Sequence, residues 1–253
     1  MRIGASAVAA IIGSILVTAQ EAAAADVKLI SADPMAGVVR ELGPQFERDP
    51  RHKLITKFVS GPMVKREIDA GETFDVAISI TPVIEALIEE GKLVAGTRAD
   101  IAYAGVGLGV RAGAPKPDIR SVDAFKRTLL SAKSVAYSAD GAGGTYFRGL
   151  LDRLGIAEEM KVKLEPMTDD ILARALPSGE AEMIVGAVPN VMEFGADLVG
   201  PLPLELQIYI PFTAGVSATA KEPEAAKALI HLLTAPAGVA VIRAKGMEAS
   251  VPR

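Results

Sequence analysis

From Val27 to Ala187, short apolar runs alternate with stretches of about ten residues whose apolar positions recur at helical spacing; this alternation narrows the fold more than any other feature. Strands joined by helices of that length return to the sheet in parallel, so the chain reads as α/β with largely parallel sheets. The first unit is strand Val27–Ser31 with a helix over Met35–Asp49, whose Val38, Val39, Leu42 and Phe46 follow the helical period. Gly43-Pro44 inside that helix predicts a kink or break, because proline lacks an N–H and clashes with the preceding turn. Strand Lys53–Val59, helix Met63–Asp69, buried-type strand Phe74–Ile80 and helix Thr81–Glu90 follow. Gly105, Gly107 and Gly109 in the strand-like run Ile101–Arg111 mark a bend or close approach, as where a chain crosses between lobes. Ser121 then opens a helix, and strand Ser134–Ser138, helix Gly144–Leu154, strand Val162–Leu164, helix Thr168–Leu176 and strand Ala181–Ala187 continue the alternation. Leu206–Pro211 and Thr213–Thr219 read as two separate strands, before closing helices Pro223–Leu233 and Gly238–Ala244.

The chain has 253 residues, 50% of them hydrophobic, enough for one large or two small cores. A net charge of −4 without a long basic run argues against nucleic acid as a partner, and 4% aromatic residues leave few platforms for stacking bases. Cysteine is absent, which removes disulfides, a thiolate nucleophile and cysteine-held zinc. His52 and His231 do not have metal-ligand spacing. There is no GxSxG and no Ser-His-Asp set, and Glu89-Glu90, Glu158-Glu159 and Asp169-Asp170 read as solvated helix ends, with Asp170, at a helix start after a strand, as the one exception. Neither catalysis nor a cofactor or metal is expected.

At the N-terminus, Met1-Arg2, an apolar and small-residue run from Ile3 to Gln20, and the closing Ala22–Ala25 predict a signal peptide over residues 1–25, cut before Asp26. Gly4, Ser6, Gly13 and Ser14 interrupt the run, which makes it a poor membrane-spanning helix. The mature chain is therefore expected as a soluble protein outside the cytoplasmic membrane.

Three strand-to-helix turns carry the chemistry that can be read locally. Asp140-Gly141-Ala142-Gly143-Gly144-Thr145-Tyr146 puts free N–H groups and flexible backbone at a helix start, where an anion docks. It is neither a GxGxxG nor a P-loop, so a nucleotide is unsupported. Ser60-Gly61-Pro62-Met63 is a second such junction and Ser31-Ala32-Asp33-Pro34 a third. In open α/β sheets ligands collect outside the carboxyl ends of the strands, which would bring the three turns to one cleft.

With Phe58-Val59-Ser60-Gly61, Ile68-Asp69-Ala70-Gly71 before Phe74-Asp75-Val76, Gly143-Gly144-Thr145-Tyr146 before Leu154-Gly155, and Ser178-Gly179-Glu180-Ala181, the chain resembles the periplasmic solute-binding proteins of ABC importers, the molybdate-binding family in particular. The resemblance implies a two-lobed periplasmic-binding-protein fold, with a mainly parallel sheet flanked by helices in each lobe and a ligand cleft between them. It divides the chain into lobe 1, residues 26–105 with 215–253, and lobe 2, residues 106–214, hinged over Tyr103–Gly109 and Ile210–Gly215. The implied ligand-binding set is Ala32, Asp33, Ser60, Gly61, Gly143, Gly144, Thr145 and Ile171. The implied partners are a small anionic solute, molybdate- or tungstate-like, and an inner-membrane ABC permease, the protein acting as a monomer. Three side-chain donors of the family pattern are absent here, replaced by Pro34, Gly61 and Gly186. A small organic carboxylate, with Arg148 or Lys65 as its counter-charge, is the alternative ligand, and a non-transport sensor or partner-binding module the alternative role.

Overall fold

The computed structural model describes residues 25–251; residues 1–24 of the expected signal peptide lie outside them. β1 (Ala25–Ala32) runs parallel to β2 (His52–Val59) and β3 (Val76–Ile80), the three being connected through α1 (Ala36–Phe46) and α2 (Gly61–Asp69) and followed by α3 (Thr81–Glu89). β4 (Ala99–Val110) comes next. A second parallel group follows, in which β5 (Val135–Ser138) pairs with β6 (Leu164–Met167) and β7 (Met183–Ala187). Its helices are α4 (Val122–Ser131), α5 (Ala142–Arg153), α6 (Ala157–Met160) and α7 (Asp169–Ser178). The chain ends with α8 (Val188–Glu193), β8 (Asp197–Pro201), β9 (Tyr209–Val216), α9 (Pro223–Thr234), α10 (Pro236–Ala244) and the short β10 (Met247–Glu248).

The strands join in the order β2-β1-β3-β9-β4-β7-β5-β6, with β8 and β10 also on β4. Both arms are parallel, as the alternation requires, whereas the two long strands between them are antiparallel. β4 changes partner midway: Ala99–Gly105 face β9, while Val106–Val110 face β7. Glycines suit that changeover, because a Cβ on Gly107 would fall 2.9 Å from the Gly200 carbonyl oxygen and from Val188.

Three expectations are corrected. The two strands expected over Leu206–Thr219 are one, β9. The strand continues past Pro211, which is paired only on its β4 side because contact with β3 begins at Phe212, leaving an edge where a missing N–H is tolerated. α1 runs through Pro44 to Phe46, since the missing hydrogen bond falls in its last turn. Val162 is exposed and the strand expected there lies at Leu164–Met167.

Phe125 and Phe147 are fully buried, and Tyr137 meets Phe147 edge-on at 5.9 Å. One buried carboxylate ties the first arm to the C-terminal helices. Asp75, 3% exposed, accepts hydrogen bonds from the N–H of Lys28 (2.8 Å) and of Lys221 (2.7 Å). Its own N–H donates to the Lys28 carbonyl and its carbonyl accepts from Ser217. No single helix among the described residues is long and apolar enough to cross a membrane.

Candidate functional site

The ends of β1, β2, β3, β5 and β7 and the starts of the helices after them enclose a cleft. Its walls are largely carbon, from Pro34, Ile80, Leu172, Ile184, Val191 and Phe212. Polar groups enter from few directions. At α5, Gly141 caps the helix and Ala142, Gly143 and Gly144 occupy the first turn, whose N–H groups have no partner within the helix. At α2, Pro62 removes one such donor and leaves the Gly61 N–H. α5 is therefore the stronger anion-facing end.

Gly143 and Gly144 are dictated by packing as well. A Cβ on Gly143 would lie 2.9 Å from the Ala187 nitrogen, and one on Gly144 only 1.9 Å from the Ser138 carbonyl oxygen. The helix start thus rests directly on the backbone of β5 and β7. Ser60 caps α2 in position only: its Oγ is buried and finds no hydrogen-bond partner. Asn190, 9% exposed, lines the same cleft, and its carboxamide makes none of the side-chain hydrogen bonds found among the described residues. Ser138 Oγ is occupied, accepting from the Gly141 N–H at 3.0 Å.

The mouth has a different character. An outer cavity shares Ser60, Ser138 and Asp169 with the cleft, and it is also lined by Asp33, Asp140 and Asp170, with no lysine or arginine. Burial pushes the Asp33 carboxyl up to about 7, helped by its hydrogen bond to Asp169 and by that residue's charge, against the pull of Arg40. Asp169 Oδ1 is buried and otherwise meets no donor, and two carboxyls can bond only if one keeps its proton. A raised carboxyl value favours the native state while the proton is on. Asp33's contribution to stability is therefore lost as pH climbs from the ordinary value near 4 through about 7. Asp33→Asn is expected to raise the unfolding midpoint at about pH 8 and to leave it nearly unchanged at about pH 4, as thermal melts at the two pH values will report.

Of the residues expected to bind ligand, Ser60, Gly61, Gly143 and Gly144 line the cleft, and Asp33 lies at its mouth. Ala32 is fully buried at the end of β1, beneath the lining. Thr145 and Ile171 line neither the cleft nor its mouth. Thr145 is exposed, turned about 100° around the helix from Gly144, and its N–H is held by the Gly141 carbonyl at 2.9 Å. Ile171 is 39% exposed and its N–H bonds to the Thr168 carbonyl. Arg148 and Lys65 do not line the cleft; Lys65 is engaged with Asp69 and Glu90. Sequence reasoning missed Asn190 and the role of Asp169. The signal for Asn190 was the same strand-to-helix junction, here with Pro189 in the first helical turn after β7.

An α/β chain whose strand ends and helix starts surround one cleft has the build of a binding protein for a small solute. The chain belongs to the bacterial extracellular solute-binding proteins, whose family model matches residues 27–248. It is similar to the aconitate isomerase of a Pseudomonas species, 28% identical over 229 residues that span 87% of this chain and 86% of the relative. It is also similar to the molybdate-binding protein ModA of Azotobacter vinelandii, 28% identical over 232 residues, covering 89% of this chain and 90% of that one. In fold it matches the solved periplasmic molybdate-binding protein of Azotobacter vinelandii, with a TM-score of 0.75 at 19% identity, over 90% of this chain and all of that one.

Proposed function

We propose that the protein is the periplasmic receptor of an ABC importer, exported by a cleaved signal peptide, which captures a small organic carboxylate as a monomer and delivers it to a membrane permease. In this reading residues 26–105 with 215–253 and residues 106–214 are two lobes that close on the ligand by flexing β4 and β9. Family membership and the similarity to ModA support capture of a small anion. The choice of carboxylate rests on the carbon walls of the cleft. A dehydrated tetrahedral dianion such as molybdate must be ringed by donors, each unmet hydrogen bond costing about 1–3 kcal/mol, whereas here the donors cluster at α5, Ser60 and Asn190. A carboxylate needs donors at one end and apolar contact at the other.

Thermal unfolding of the mature chain against short carboxylates, molybdate, tungstate and sulfate tests this. A ligand at 100 times Kd adds about 2.7 kcal/mol, or roughly 5–11 °C for a chain of this size. The expected result is a shift with a carboxylate and none with the oxyanions. A Cβ on Gly186 would meet nothing within 4 Å and this residue lines the cleft, so Gly186→Val should abolish the shift without lowering the ligand-free midpoint. A shift with molybdate alone sinks the carboxylate reading.

A second reading, isomerisation of a carboxylate by proton transfer, is favoured by the Asp33–Asp169 pair and by the similarity to aconitate isomerase. A tricarboxylate fits poorly where no lysine or arginine lines the cleft. Proton NMR of cis- and trans-aconitate incubated with the protein is expected to show no interconversion, and interconversion would replace the receptor reading with an enzyme.

A further inference from the structure

The way into the cleft passes between acids. Asp33, Asp140, Asp169 and Asp170 line the outer cavity, which would repel a simple anion, while three unmet N–H groups at the start of α5 would repel a simple cation. A ligand with both charges satisfies both ends. Resting on the carboxylate reading, we propose that the solute is a small aliphatic amino acid, its carboxylate on the N–H groups of Ala142, Gly143 and Gly144 and its ammonium between the carboxyls of Asp33 and Asp169.

Two observations independent of the acids point to a ligand in this space. Asn190 is nine-tenths buried, lines the cleft together with Asp169, and carries a carboxamide with none of the side-chain hydrogen bonds found among the described residues. Its oxygen can accept from an ammonium and its nitrogen can donate to a carboxylate. Ser60 Oγ, also without a partner, lies on the boundary of the inner and outer cavities. Hydrogen-bonding capacity is thus unfilled in the cleft that the start of α5 and Asp169 both line. The cationic end suits an ammonium better than a metal ion, because no three His, Asp or Glu side chains among the described residues are placed to hold a metal.

The charges around Asp33 fix the sign of the pH dependence. Asp169 and Asp170 face it from α7 and Arg40 from α1, with Asp140 across the outer cavity. Arg40 is already paired with Glu193 of α8, and Lys245, in the adjoining groove, with Glu41. The nearby cations are therefore committed, and the buried Asp33 carboxyl beside Asp169, pushed up to about 7, holds its proton into the neutral range. An ammonium displaces that proton, so an amino acid binds more tightly as pH rises from about 5 to about 8. A simple carboxylate takes a proton up and weakens over the same range.

Isothermal titration of the mature chain with L-alanine, L-valine, β-alanine and γ-aminobutyrate, each beside the matching acid without the amine, decides the matter. At least one amino acid is expected to bind about tenfold or more tightly than its amine-free counterpart, and more tightly at the higher pH. Asp33→Asn and Asp169→Asn, singly and together, should erase that advantage while the amine-free acid binds as well or better. Circular dichroism checks that each variant is folded. If the amine-free acids bind as tightly as the amino acids, or weaken less than they do as pH rises, the amino-acid inference fails and the carboxylate receptor stands. If neither the amino acids nor the amine-free acids bind, both fall.

Discussion

Asp75→Ala is expected to lower the unfolding midpoint by roughly 6–20 °C, corresponding to a loss of about 3–5 kcal/mol. The carboxylate is buried, yet it receives the N–H of Lys28 on β1 and of Lys221 ahead of α9, with Glu222 more distant at 3.4 Å. Hydrogen bonds to a charged acceptor are worth about 1.5–3 kcal/mol each, and water can replace only the one at exposed Lys221. Asp75→Asn keeps one acceptor and turns an amide toward the other N–H, so it should fall between wild type and alanine. Thermal melts followed by circular dichroism measure both, and an alanine shift under about 2 °C would show that the staple is redundant.

Gly144→Ala should be the most damaging single methyl for binding. Its Cβ would stand 1.9 Å from the Ser138 carbonyl oxygen, 2.9 Å from that carbonyl carbon and 3.0 Å from the Tyr137 ring. Backbone at the end of β5 has little room to yield, so the start of α5 must lift, at a cost of about 1–3 kcal/mol, and its N–H groups leave the cleft. The ligand-induced rise in midpoint should then vanish. Gly149→Ala, on the same helix, is the control. No atom lies within 4 Å of its Cβ position, and removing an exposed glycine from a helix should stabilise by about 0.5–1 kcal/mol with binding intact.

The parallel arms and most helices could be read from the chain because each repeats one local rule, an apolar run followed by a helical period. β9 could not, because whether Pro211 breaks a strand depends on which edge is free, and that is a property of its neighbours β3 and β4. The site divides in the same way. Ser60, Gly61, Gly143 and Gly144 stand at turns with visible signatures, whereas Thr145 and Ile171 differ from cleft-facing residues only by rotation about a helix. Asn190 was hidden because α8 is six residues long, too short for a helical period to register. The partnership of Asp33 and Asp169 spans 136 positions and is set wholly by tertiary structure.

The position of β9 between β3 and β4 governs the order in which the chain can be assembled. Ile80 waits for Phe212, roughly 130 residues downstream, and closing a loop of that length costs about 4 kcal/mol in chain entropy before any contact repays it. Until β9 arrives, β3 has an open edge on that side and β4 lacks its neighbour over Ala99–Gly105. A chain cut or stalled before Tyr209 is left with sticky, half-built sheets, so complete synthesis becomes a precondition for a soluble fold, and refolding should be slow in keeping with such distant contacts.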